Sequence, residues 1–250
     1  MRKPLYLLPL LALALSACGD SVSDVVKDIK STESNGFADG KTVSNSATTT
    51  EAFNKVKALG PDNIVFVTGD SFSIKAEGNA KAVATLRYKL DDDAIVIGRD
   101  DGSWFGDEGK SVTITITAPS LSSASLAGSG DFTADQMRGD EVEVKIAGSG
   151  SLNVGNIQAK KLETKIAGSG DAVLSGKVEN ADVSVLGSGS VNSEKLMTTD
   201  ADVTIAGSGD VRLNATGKVK AKVAGSGDVN VTGGAACDSK SMGSGSISCS

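Results

Sequence analysis

The stretch Glu141-Val142-Glu143-Val144-Lys145-Ile146-Ala147-Gly148-Ser149-Gly150-Ser151-Leu152-Asn153-Val154 decides the fold. On either side of Gly148-Ser149-Gly150 the apolar residues fall at every second position: Val142, Val144 and Ile146 before it, Leu152 and Val154 after it. A period of two is that of a β-strand with one buried and one wet face. The glycine phrase therefore joins two strands at a corner, where positive φ and close backbone approach favour glycine.

The same phrase returns seven times, starting at Gly128, Gly148, Gly168, Gly187, Gly207, Gly225 and Gly243, in steps of 20, 20, 19, 20, 18 and 18 residues. The alternation returns with it, as in Leu162, Thr164 and Ile166, Val203 and Ile205, or Val219, Ala221 and Val223. A fixed step near 20 is the mark of a solenoid. One such coil buries too little to stand alone. Stacked coils pair each strand with its copy roughly 4.8 Å away and build a continuous apolar column. The expected fold is all-β, a single parallel β-helix with coils of about 18–20 residues. Serial hairpins would not need one corner at a constant step, and a calcium-binding nonapeptide roll has a repeat of about nine.

Earlier in the chain the strands are less regular. Val56 and Ala58 precede a turn at Gly60-Pro61-Asp62-Asn63. Phe72, Ile74 and Ala76 alternate; Gly78-Asn79 turns; Val83 to Leu90 reads as a strand; Asp91-Asp92-Asp93 turns again. A loop from Gly102 to Gly109 holds Trp104 and Phe105, and Val112, Ile114 and Ile116 alternate before Pro119. Read as irregular terminal coils, these make residues 51–250 one solenoid of about ten coils, roughly 45–50 Å long.

Met1 to Ala17 has Arg2 and Lys3 followed by an apolar run too short to span a bilayer, the pattern of an export signal. It ends Leu15-Ser16-Ala17-Cys18, which resembles the bacterial lipoprotein lipobox. That resemblance implies cleavage before Cys18 and its lipidation; several acyl chains anchor stably where one does not. Gly19 after the cysteine favours the outer membrane. An ordinary secretory signal is the alternative. Residues 18–50, rich in Ser, Thr, Asp and Lys, read as a flexible tether.

With Cys18 lipidated, Cys237 and Cys249 remain. By offset from the corners they occupy the inward positions of Val219 and Val231, so a disulfide closing the last coil is expected of an exported protein, with two buried thiols as the alternative. The chain contains no histidine, which excludes Ser-His-Asp and Cys-His nucleophiles and histidine metal sites. Its net charge of −6, or −8 without Arg2 and Lys3, argues against nucleic acid. The membrane is reached by lipid, not charge.

Four corners are followed by aspartate: Asp131, Asp171, Asp210 and Asp228. A corner Asp accepts hydrogen bonds from turn amides. Asp210 and Asp228 alone stand on adjacent coils and are the candidate pair for Ca²⁺, which takes several oxygen ligands. No cofactor is expected. Trp104 and Phe105 are candidates for an exposed ligand contact, or else they cover the early coils.

The repeated Gly-Ser-Gly-Asp corners, Phe53 with Val56, the Gly69-Asp70 turn and Thr117-Ala118-Pro119-Ser120-Leu121 resemble the bacterial family known as "putative auto-transporter adhesin, head GIN domain", over about Phe53 to Ser250. The resemblance implies a right-handed β-helix, exported and in many members lipidated, and supplies no catalytic residues. The given sequence has no stretch after Ser250 for a membrane barrel, so an auto-transporter is not expected. The function that follows is an envelope lipoprotein displaying a β-helix for adhesion, scaffolding or binding of a glycan or surface protein, without catalysis. The alternative is a polysaccharide-acting lyase or hydrolase, which needs carboxylates converging in one cleft.

Overall fold

In a computed structural model, the structure describes Phe37 and residues 39–100 and 111–250. It is 68% strand and 3% helix, and its centre is a parallel β-solenoid of about 6 turns. Like residues stack. Strand register places Leu126, Ile146, Ile166, Val185, Ile205 and Val223 one above another, every one of them buried. The inward column after the corner runs Phe132, Leu152, Ala172, Val191, Val211 and Val229. Each fully buried Val, Leu or Ile contributes about 1.5–3 kcal/mol relative to exposure.

The coils have a third side that the alternation does not announce. Met137–Gly139 pairs with Ile157–Ala159, and this with Gly176–Val178. The register slips between Val154 and Ile157, where the chain bends onto this side. Higher up, only Asn214 and Ala215 remain of it, paired with Met197 and Thr198, before Lys218 begins the next strand. The loss of this side accounts for the step falling from 20 to 18.

The glycines of the phrase are required for two different reasons. The first of each phrase has φ between +121° and +138°, a region that side chains resist. The second glycine lacks positive φ but has no room: a Cβ on Gly150 would lie 2.0 Å from the Gly130 carbonyl oxygen. Between them the corner is stapled to the coil below, since Ser169 and Gly170 both donate their N–H to the Gly148 carbonyl at 2.9 and 3.0 Å.

Gly60-Pro61-Asp62-Asn63 is an eighth corner without the phrase. Gly60 pairs with Gly128 in register and has φ +112°. Ser129 and Gly130 both donate to its carbonyl at 3.3 Å. After this coil the chain passes beneath it, and the upward stacking resumes only at Ser123.

The intervening segment corrects the expectation of about ten successive coils. Ala94–Ile97 and Thr113–Ala118 lie parallel beneath the first coil, against Lys55–Ala58 and Asn63–Thr68. Below them, Leu86–Asp91 and Ser73–Glu77 run antiparallel. Lys41–Thr42 and Thr48–Thr49 then pair antiparallel with that layer. The layers are thus laid out of chain order, and the antiparallel ones finish this end of the stack. An unfinished edge would offer free N–H and C=O groups for pairing.

Two further expectations are corrected at this end. Val83 to Leu90 is not one strand: Ala80–Thr85 is a helix, and only Leu86 onward is extended. The Asn79 carboxamide accepts from Lys81 N at 3.0 Å and Ala82 N at 3.4 Å, the geometry of an N-cap. Ala82 and Val83 are buried against the core. The tether does not extend to residue 50. Phe37 is 3% exposed and packs with Leu59 and Val96, and Val43 joins the main core, so the domain includes Phe37 onward rather than beginning at 51.

Replacing Ile146, which is 0% exposed at mid-column, with alanine is expected to cost about 2–5 kcal/mol in denaturant unfolding.

Candidate binding surface

The corner divides the outside of the stack into faces of different chemistry. The face before it is charged and largely self-paired. Lys145 meets Glu143 at 2.7 Å and Lys165 meets Glu163 at 3.0 Å within a strand. Lys161 bridges coils, 3.1 Å from Glu141 and 3.5 Å from Asp182. The Glu141 hydrogen bond, ahead of its charge, holds the Lys161 ammonium above its ordinary range.

The face after the corner is flatter in chemistry. One outward column contains the corner acids and serines. The next runs Val65, Thr133, Asn153, Val173, Asn192, Arg212, Asn230 and Ser248, each paired in register with its neighbours. Short, mostly uncharged side chains on a rigid parallel sheet leave few groups to order on contact, which lowers the cost of binding.

The corner aspartates accept from amides, but from the coil above rather than their own turn. Asp131 Oδ1 accepts from Ser151 N at 3.2 Å, Asp171 Oδ1 from Ser190 N at 2.9 Å, and Asp210 Oδ1 from Asp228 N at 3.0 Å. Asn63 does the same for Asp131 N at 3.0 Å, which extends the ladder to the first corner. Where the coil carries Ser151, the next amide, Asp171 N, turns to the Gly150 carbonyl at 3.3 Å. The aspartates are thus clips between coils.

Asp210 and Asp228, the candidate Ca²⁺ pair, are both engaged in this way. Asp228 Oδ1 accepts from Ser246 N at 2.8 Å and Ser246 Oγ at 2.7 Å. Among the described residues no three His, Cys, Asp or Glu side chains converge, and a Ca²⁺ site needs six to eight oxygens. Two engaged carboxylates make a poor donor set.

Cys237 and Cys249 are bonded at 2.07 Å. They stand in register with Val219 and Val231, the inward positions read from the repeat. Beside them Ser239 and Ser241 continue the columns of Ala221 and Val223. Ile247 stands over Val229 and packs on the core, so the last coil closes the apolar spine with one isoleucine, hydroxyls and a crosslink.

Cys18, Trp104 and Phe105 lie outside the described residues. The residues flanking the Trp104 segment are tied to the first corner. Arg99 donates to Asp62 through Nε at 2.8 Å and Nη2 at 2.5 Å, and Val112 N donates to the same carboxylate at 3.1 Å. Asp62 is 5% exposed. Sequence reasoning missed this clamp. Its signal was a carboxylate at the corner position that is glycine in every other coil.

These features define a parallel β-solenoid with an antiparallel end and glycine-built corners. The model of the family "putative auto-transporter adhesin, head GIN domain" matches residues 52–235, and the chain belongs to this family. Among solved structures, a "putative adhesin" from Bacteroides fragilis shares 22% identity over 83% of this chain and 100% of its own, with a TM-score of 0.75. A "putative lipid binding protein" from Parabacteroides distasonis shares 20% identity over 84% of this chain and 100% of its own, with a TM-score of 0.64. A "putative adhesin" from Parabacteroides merdae shares 20% identity over 82% of this chain and 95% of its own, with a TM-score of 0.63. At these identities the likeness is one of fold. No curated protein matches the chain.

The Ser246 hydroxyl, then the Ser246 amide, holds the Asp228 carboxyl below its ordinary range. A depressed folded-state pKa stabilises above the unfolded pKa, and that stability is lost as pH falls through the folded value. Denaturant melts from about pH 5 downward are expected to weaken more steeply for the native protein than for Asp228→Asn, which cannot titrate.

Proposed function

We propose that this chain is an exported, lipid-anchored envelope protein that displays its β-helix as a binding rod, engaging a glycan or a surface protein without catalysis. The observation that carries the reading is the uninterrupted face after the corner. Its carboxylates clip coils together and its other side chains are mostly short and uncharged. Membership of the adhesin head family supports the same role and an exported or cell-surface setting. No helix among the described residues is long and apolar enough to cross a membrane, which is compatible with attachment through Cys18 and says nothing of a β-barrel.

Lipidation of Cys18, an outer-membrane position and a contact through Trp104 and Phe105 belong to this proposal. So does the order of display: lipid, tether, rod, aromatic loop. A polysaccharide lyase or hydrolase would need carboxylates facing one another across a cleft. The corner acids instead line up along one edge, each facing a backbone amide of the next coil.

The test has two parts. Cys18→Ala is expected to move the protein from the membrane fraction to the aqueous one; retention in the membrane fraction would contradict the anchor. The released full-length protein, applied to immobilised glycans and extracted envelope polysaccharide, is expected to bind, and Trp104→Ala to bind at least tenfold more weakly. Binding untouched by Trp104→Ala removes the aromatic contact, and no binding to any surface removes the adhesive reading.

A further inference from the structure

Resting on the binding role just proposed, we infer that the groove around Arg212, on the face after the corner, is a subsite for one ring of a neutral, extended, β-linked glycan running along the stack. Asp210, Arg212, Asp228, Asn230, Ser246 and Ser248 line a shallow groove of about 190 Å³. That is below the roughly 300–1,000 Å³ of pockets for drug-sized ligands, and is suited to a single ring whose neighbours lie outside it.

The groove is built from three successive coils. Register places Asn192, Arg212, Asn230 and Ser248 in one column, roughly 4.8 Å apart. Arg212 is exposed and has no ion-pair partner among the described residues. Arg212 lies in the groove itself, between Asp210 and Asp228 on one side and Asn230 and Ser248 on the other. It offers a planar fork of donors. The carboxamide of Asn230 supplies both donors and an acceptor. Asn192 Oδ1 accepts from Glu194 N at 3.3 Å, which leaves its amide nitrogen to donate outward.

The chemistry of this set decides the ligand class. Each sugar hydroxyl both donates and accepts, so adjacent hydroxyls are met by planar groups that do one or both. Arg212 and the two asparagines supply donors, and the free lone pairs of Asp210 and Asp228 supply acceptors. The groove sets two aspartates against the single guanidinium of Arg212, a net negative charge that disfavours an acidic sugar. A neutral ring avoids this. The column sets the linkage: pyranose rings joined through equatorial bonds advance per ring by a distance close to the coil spacing, so an extended chain along the stack repeats in step with the coils while each ring reaches side chains of the coils above and below. The exposed Val173, next below Asn192 in this column, gives the chain an apolar contact two coils from Arg212.

Calorimetric titration of the full-length Cys18→Ala protein with cellotetraose, β-1,4-mannotetraose and tetra-N-acetylchitotetraose, and with β-1,4-tetramannuronate as the acidic comparison, tests the assignment. At least one neutral tetrasaccharide is expected to bind, with little dependence on salt. Arg212→Ala should weaken it about tenfold or more and Asn230→Ala severalfold. Lys160→Ala, away from this column, should leave it unchanged. Circular dichroism melts should coincide, because Arg212 and Asn230 are exposed. The proposal is overturned if no neutral tetrasaccharide binds, if Arg212→Ala binds as well as the parent, or if tetramannuronate binds more tightly. If envelope polysaccharide is still bound in those cases, only this subsite falls. If it is not, the adhesive reading falls as well.

Discussion

The close approach of backbone to backbone at the corner governs the rest of this structure. At every turn the carbonyl of one coil's first corner glycine accepts from the coil above, as Gly128 does from Ser149 and Gly150 at 3.0 and 3.2 Å. There is no space there for a side chain: a Cβ on Gly148 would sit 2.2 Å from the Gly128 oxygen. This contact fixes the register of the strands on both sides of the corner. Once register is fixed, an inward valine or isoleucine can only stand on its counterpart, and a one-residue slip would turn every one of them to solvent. The apolar spine follows from the corner, and the outward columns follow with it.

The outward columns are where function has room to differ from coil to coil. Inside, shape limits each position to a small set of aliphatic residues. Outside, the stack multiplies whatever is placed at a given offset. Before the corner it multiplies Lys and Glu, which satisfy one another. After the corner it multiplies Asp or Ser, then Asn, Thr, Val and Arg. The aspartates do structural work as acceptors for the next coil's amide, and two residues later the side chains carry no such duty between coils. The face with the fewest internal obligations is the one best able to meet a partner.

The repeating half of the chain was legible because it is local. A strand, a corner and a strand recur within twenty residues, and the offset rule placed Cys237 over Val219 and Cys249 over Val231 as the structure has them. The other half is governed by contacts far apart in sequence. Lys55–Gly60 lies directly under Ser123–Gly128, and nothing near either segment announces the jump. The first corner reads in sequence only as a turn, because Pro61 and Asp62 stand where Ser and Gly usually do. Asp62 is admitted because its carboxylate reaches Arg99 and Val112 at the ends of the layer beneath the first coil. The helix was masked by apolar residues at strand-like spacing, although the Asn79 cap was available to be read. Phe37 was lost in a polar segment, where one aromatic against Leu59 and Val96 outweighs the composition around it.

The most direct test is the stability of Gly150→Ala beside Ser149→Ala, measured by denaturant unfolding. Gly150 does not have positive φ, so backbone entropy alone would make alanine stabilising there by about 0.4–1 kcal/mol. The approach of the Gly130 oxygen instead predicts a loss of more than about 1 kcal/mol. Ser149→Ala, at an exposed side chain, should stay within about 0.5 kcal/mol of the parent. A Gly150→Ala protein as stable as the parent, or more so, would contradict the claim that backbone contact at the corners sets the stack.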